Sequence, residues 1–126
     1  MTDSSLERKL LVIADLFFLA KVQTSAKVLG YQTTGARDLT VARRRVREEP
    51  LCGVILSMQK EDFDWEEFLQ EMKSDPTTSA LPILVFGSHV DASGFSRARE
   101  LGADLVVPNS QIASDFAGLL IRLGVA

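Results

Sequence analysis

A serine hydroxyl with an imidazole base in reach is the minimal nucleophile–base pair, and this chain offers one candidate, Ser57 with His89. Ser57 closes the apolar run Cys52-Gly53-Val54-Ile55-Leu56, and His89, the sole histidine, follows a second apolar run that ends at Phe86. Acyl transfer by such a pair also needs a third group to orient the base and a sharp turn to expose the serine. No Gly-x-Ser-x-Gly surrounds Ser57, and no orienting member stands out. The pattern predicts a polar residue at a strand end and no catalytic residue.

Other chemistries are weaker still. The one cysteine, Cys52, excludes an internal disulfide and sits in the most apolar run, where it reads as a small core residue in a reducing compartment. No glycine-rich loop follows the first apolar run, so a nucleotide cofactor lacks a cradle. No cofactor and no metal are expected. Arg43, Arg44, Arg45 and Arg47, with Arg37 nearby, form the one basic cluster, which nucleic acid or a cyclic nucleotide would need. A net charge of −3 and the adjacent Glu48 and Glu49 favour a solvated helix face instead. The acidic stretch from Lys60 to Glu67 gives that face a complement, which two protomers of a homodimer could bring together.

These residues need elements to position them. At 126 residues, with 46% hydrophobic and 25% charged residues, the chain fits a single domain with one continuous core. Apolar runs of strand length cover residues 9–14, 51–56, 83–86 and 104–107, with a shorter strand at 31–34. Between them lie helical stretches. One covers 17–29 and stops at Gly30; a second follows Asp38, with Leu39, Ala42 and Val46 inward, and stops at Pro50. A third follows the capping box Asp64-Trp65-Glu66-Glu67, with Trp65, Phe68, Leu69 and Met72 on one face. A fourth covers 91–101, weakened by Gly94, and a last one covers 111–123.

Five strand–helix repeats with short connections predict an α/β fold with right-handed crossovers, a parallel sheet and helices on both sides. The doubly wound order 2-1-3-4-5 follows, and its loops at the carboxyl ends of the strands should hold any site. Residues 1–8 read as a polar tail and residues 9–126 as the domain. Arg8-Lys9 before residues 10–20 mimics a signal peptide, but Asp15 interrupts the run, and it is shorter than the roughly 20 residues of a membrane span. A buried strand turning into a helix explains it better, which predicts a cytoplasmic protein without membrane contact.

Three stretches carry a family resemblance: Ser74-Asp75-Pro76; Leu81-Pro82-Ile83-Leu84-Val85; and Arg97-Ala98-Arg99-Glu100-Leu101-Gly102-Ala103-Asp104. With Leu29-Gly30-Tyr31 at the end of the first helix, their order and spacing resemble the receiver (CheY-like) domains of bacterial response regulators, over residues 9–124. The resemblance implies a flavodoxin-like (βα)5 three-layer sandwich. It also implies a phosphorylation pocket: acids after the first strand to hold Mg²⁺, an aspartate nucleophile after the third, a hydroxyl after the fourth and a lysine after the fifth.

At those positions this chain has Asp15 with no second acid, then Ser57, then Gly87 followed by Ser88, then Asn109. The connection at Asp15 is one residue shorter than in typical receivers, which leaves open whether its carboxylate enters the pocket. The chain therefore resembles a pseudo-receiver, with the fold kept and the phosphoacceptor aspartate absent. The expected function is a phosphorylation-independent protein-interaction module in two-component-type signalling. Receivers commonly dock through the fourth helix, fifth strand and last helix, which carries over to Phe95, Arg99, Val106 and Arg122. The alternative is a sensor whose pocket of Asp15, Ser57, Ser88 and Asn109 holds a small uncharged or cationic ligand.

Overall fold

The computed structural model describes residues 8–126. The expected tail at 1–8 lies outside them except for Arg8, whose guanidinium stacks over the Tyr31 ring at 4.4 Å. Five strands form one parallel sheet: β1 (Lys9–Ile13), β2 (Gln32–Gly35), β3 (Leu51–Ser57), β4 (Ile83–Gly87) and β5 (Leu105–Pro108), in the order β2-β1-β3-β4-β5. This is the doubly wound order expected from the repeats. Residues Val54 to Ser57 and Ile83 to Gly87 are buried throughout, as strands covered on both faces must be.

Alternation along the strands divides the core. Leu10, Val12, Ile55, Leu84, Phe86 and Val107 face one helical layer. Leu11, Ile13, Val54, Leu56, Ile83 and Val85 face the other. The first layer contains α1 (Leu16–Val28), α5 (Asn109–Ser114) and α6 (Phe116–Leu123). The second contains α2 (Leu39–Glu48), α3 (Trp65–Ser74) and α4 (Ala92–Glu100).

Helix starts follow one rule. Asp15, Asp38, Asp64, Asp91 and Asp115 each accept the backbone N–H three residues on, from Phe18, Val41, Glu67, Gly94 and Gly118. Such a cap satisfies a free amide and places a negative charge at the positive end of the helix. At the far end of α1, Gly30 takes φ +88, a conformation in which a side chain would be strained.

The single last helix expected over 111–123 is two helices. Asp115 leaves helical geometry at φ −151 and ψ 51, ends α5, and caps α6 by accepting the Gly118 N–H at 3.2 Å. The apolar spacing of Ile112, Phe116, Leu119 and Leu123 continues across the break and conceals it, whereas the Asp115–Gly118 cap spacing records it. α5 itself follows Pro108 with no side-chain cap. Among the described residues, no helix is long and apolar enough to cross a membrane.

Candidate functional site

The strand register places Ser57 beside Phe86 and Gly87 beside Pro108, so the ends of β3, β4 and β5 form a common rim. Asn109 opens α5 immediately after it. Four of the five expected pocket residues, Ser57, Gly87, Ser88 and Asn109, thus stand on adjacent strand ends. Asp15 stands on the neighbouring β1 end.

What fills that rim comes from the two residues after Ser57. Ser57 is 2% exposed, and its hydroxyl accepts the Gln59 backbone N–H at 3.0 Å. Met58 donates its backbone N–H to the Phe86 carbonyl, extending the β3–β4 ladder by one bond. Its side chain then lies across Gly87, so that a Cβ there would collide with the Met58 terminal methyl. The Gln59 side chain reaches over to β5, where its Oε1 accepts from Asn109 Nδ2 at 2.9 Å. Asn109 Oδ1 is buried without a partner, an arrangement that costs about 1–3 kcal/mol in a closed environment. Met58 as filler and Gln59 as strap were not singled out in the sequence. Their one signal was position, directly after the end of the most apolar strand.

The other rim groups are turned to local duties. The Asp15 carboxylate caps α1, accepting from Phe18 N at 3.1 Å. Ser88 Oγ accepts from Val90 N at 3.4 Å, within its own turn. His89 is exposed, and among the described residues no hydrogen bond joins it to Ser57. Burial raises the Cys52 thiol above its ordinary value, which suits a core residue and not a reactive one. Among the described residues, no group of three or more His, Cys, Asp or Glu side chains is placed to hold a metal ion.

The basic and acidic stretches meet within one chain, where the sequence suggested a contact between protomers. Arg43 on α2 donates to Glu71 at 2.6 and 2.8 Å and to Glu67 at 3.1 Å, both on α3. This pairing, chiefly the hydrogen bonds from Arg43, holds the Glu71 carboxyl below the usual carboxylate range. Arg45 and then Lys9 do the same for Glu49. Arg44 and Arg47 remain exposed.

Of the expected docking residues, Phe95 and Arg99 lie on α4, Val106 on the edge strand β5, which α4 and α5 contact, and Arg122 on α6. Arg99 lies 5.9 Å from the centre of the Phe95 ring, while Val106 is half-buried and Arg122 exposed.

No family model matches the chain, and no curated protein matches it. Solved structures do. The phosphorylated cyanobacterial phytochrome response regulator RcpA is similar with a TM-score of 0.80 at 19% identity, covering 95% of this chain and 96% of that one. The chemotaxis response regulator of Vibrio cholerae gives 0.80 at 16%, over 92% and 98%. A response regulator receiver domain from Rhodospirillum rubrum gives 0.77 at 17%, over 94% of each. Likeness at such identity defines the fold: this chain has the receiver fold of response regulators.

Proposed function

We propose that this chain is a phosphorylation-independent receiver-like module, a cytoplasmic protein-interaction domain of two-component-type signalling with no enzymatic activity. The observation that carries the reading is the filled rim. Where a phosphoryl group would sit, Met58 lies over Gly87 and Gln59 joins Ser57 to Asn109. A serine cannot form an acyl phosphate, and no lysine stands at Asn109 to balance the charge. Local hydrogen bonds engage Asp15, Ser57, Ser88 and Asn109, the side chains that a ligand in this pocket would use, which speaks against the sensor alternative there. Output then rests on a protein partner, a second copy of the chain included, docking on the Phe95, Arg99, Val106 and Arg122 surface. The net charge of −3 and the pairing of Arg43 within the chain speak against nucleic acid as the partner.

Beryllofluoride with Mg²⁺, which mimics a bound phosphoryl group, should leave the amide spectrum unchanged. A saturable, Mg²⁺-dependent shift around residues 57 and 88 would overturn the proposal. Ser57→Asp should not restore the chemistry either. The new carboxylate would sit at a buried position without a cation, its pKa raised by desolvation, and the fold would weaken. Phosphorylation of that variant by acetyl phosphate at an ordinary receiver rate would show the missing groups to be wrongly placed.

A further inference from the structure

With the rim at β3, β4 and β5 occupied, the open space at the same end of the sheet lies one step away, over β1 and β2. A cleft of about 320 Å³ is floored by Val12, Leu19 and Ala36 and edged by Asp15, Arg37 and Lys60. Three loops build it, those after β1, β2 and β3. Its size falls at the lower end of small-molecule sites, which are about 300–1,000 Å³, and its lining has their usual character: an apolar floor with a few charged groups.

The charges are unbalanced. Lys60 is half-buried, and among the described residues no carboxylate lies within ion-pairing distance of its ammonium. Arg37 makes one loose contact, 3.6 Å to Asp38, and is 87% exposed. Asp15 already spends one oxygen on the α1 cap. Arg37 is thus partly balanced by Asp38, which lies outside the cleft lining and caps α2, and Lys60 is left, among the described residues, as the lining cation with no carboxylate partner above an apolar floor.

We propose that this cleft binds a small organic monoanion, a carboxylate with an apolar body. The body rests on Val12, Leu19 and Ala36, and the carboxylate lies between Lys60 and Arg37. A phosphate dianion fits less well. Asp15 repels the second charge, and its carboxylate already takes the Phe18 amide in the first turn of α1. The site is separate from the rim at Ser57, and the proposal stands or falls independently of phosphorylation.

Titration of the intact chain with phenylacetate, followed through its amide spectrum, tests this against the neutral isostere phenylacetamide and inorganic phosphate. Phenylacetate should give saturable shifts at Gly35, Ala36 and Lys60, weakening as salt is added. Lys60→Gln and Arg37→Gln should each reduce affinity about fivefold, the scale of one exposed ion pair, while Lys60→Arg retains it. Arg37 is exposed and Lys60 half-buried, and an unchanged melting temperature will show that the variants fold. Absence of saturable shifts would overturn the proposal. So would equal binding of phenylacetamide or phosphate, indifference to both charge removals, or shifts centred on Ser57 and Asn109 instead.

Discussion

Helices α5 and α6 bury Ile112, Phe116, Leu119, Leu120 and Leu123 against one face of the sheet. On the other face, α2 and α4 each bury a single alanine, Ala42 and Ala98. That second layer is held differently. Arg43 ties α2 to Glu67 and Glu71 of α3, and Arg97 ties α4 to Glu66 of the same helix at 3.0 Å. Among the described residues, every ion pair that joins two helices lies on this face. α3 buries Phe68, Leu69 and Met72 and serves as the fixed member, with its neighbours attached through charge. Apolar packing has few alternative arrangements, whereas exposed ion pairs exchange with water at small cost. The helix that borders the proposed docking surface, α4, is thus the one whose position a partner can adjust most cheaply.

The contrast can be broken on the apolar side first. Leu119→Ala removes a fully buried side chain and should destabilise the domain by about 3 kcal/mol, read as a shifted urea midpoint. A loss no larger than that of a surface variant would mean that this layer is not the packed one. Next comes the capping of the fixed helix. Asp64→Ala frees the Glu67 amide and should cost about 1 kcal/mol, in the same measurement.

Cutting the charge link should do less to stability and more to motion. Arg97→Met is expected to lower stability slightly at low salt and almost not at all at high salt. Hydrogen exchange should nevertheless quicken across Ala92–Glu100 while β3 stays protected. If α4 amides exchange as slowly as those of β3 in the native chain, the adjustable-face account fails.

The smallest effect is acid sensitivity. Glu71 and Glu49 have folded pKa values below the ordinary carboxylate range, so their contribution is complete above that range. It is lost as pH falls through the folded values. Glu71→Gln should therefore flatten the acid side of the melting-temperature profile, and an unchanged slope would show that the Arg43 contacts carry no linkage.

The sheet order was legible in the sequence because apolar runs and helix periods alternate cleanly, and parallel crossovers leave few topologies. Caps at Asp38 and Asp64 were legible for the same reason, since their spacing is local. Asp115 was not, because a continuous apolar stripe masks a change in backbone direction. Gly94 read as a weak point inside a helix. It lies in the first turn of α4, where the Asp91 carboxylate occupies the space a Cβ would take. At the rim, the strand ends marked Ser57, Gly87 and Asn109, but what covers them depends on side-chain direction. No periodicity says that Met58 folds over Gly87 or that Gln59 reaches Asn109. The cation pair Arg37 and Lys60 was equally hidden, since twenty-three positions separate two residues that edge one cleft.

Tyr31 has a consequence for how this domain can be joined to others. Its hydroxyl donates to the Val125 carbonyl at 2.8 Å and accepts from Arg8 at 3.3 Å, so a single phenol touches both the entering and the leaving chain. Entry and exit lie side by side at the amino-terminal edge of the sheet, opposite the rim. A short flexible tether between residues 8 and 126 would therefore close the chain with little distortion, and new ends could be cut at an exposed turn such as that around Thr77. The domain is geometrically suited to being carried as an insert in a host loop, with its rim pointing away from the host.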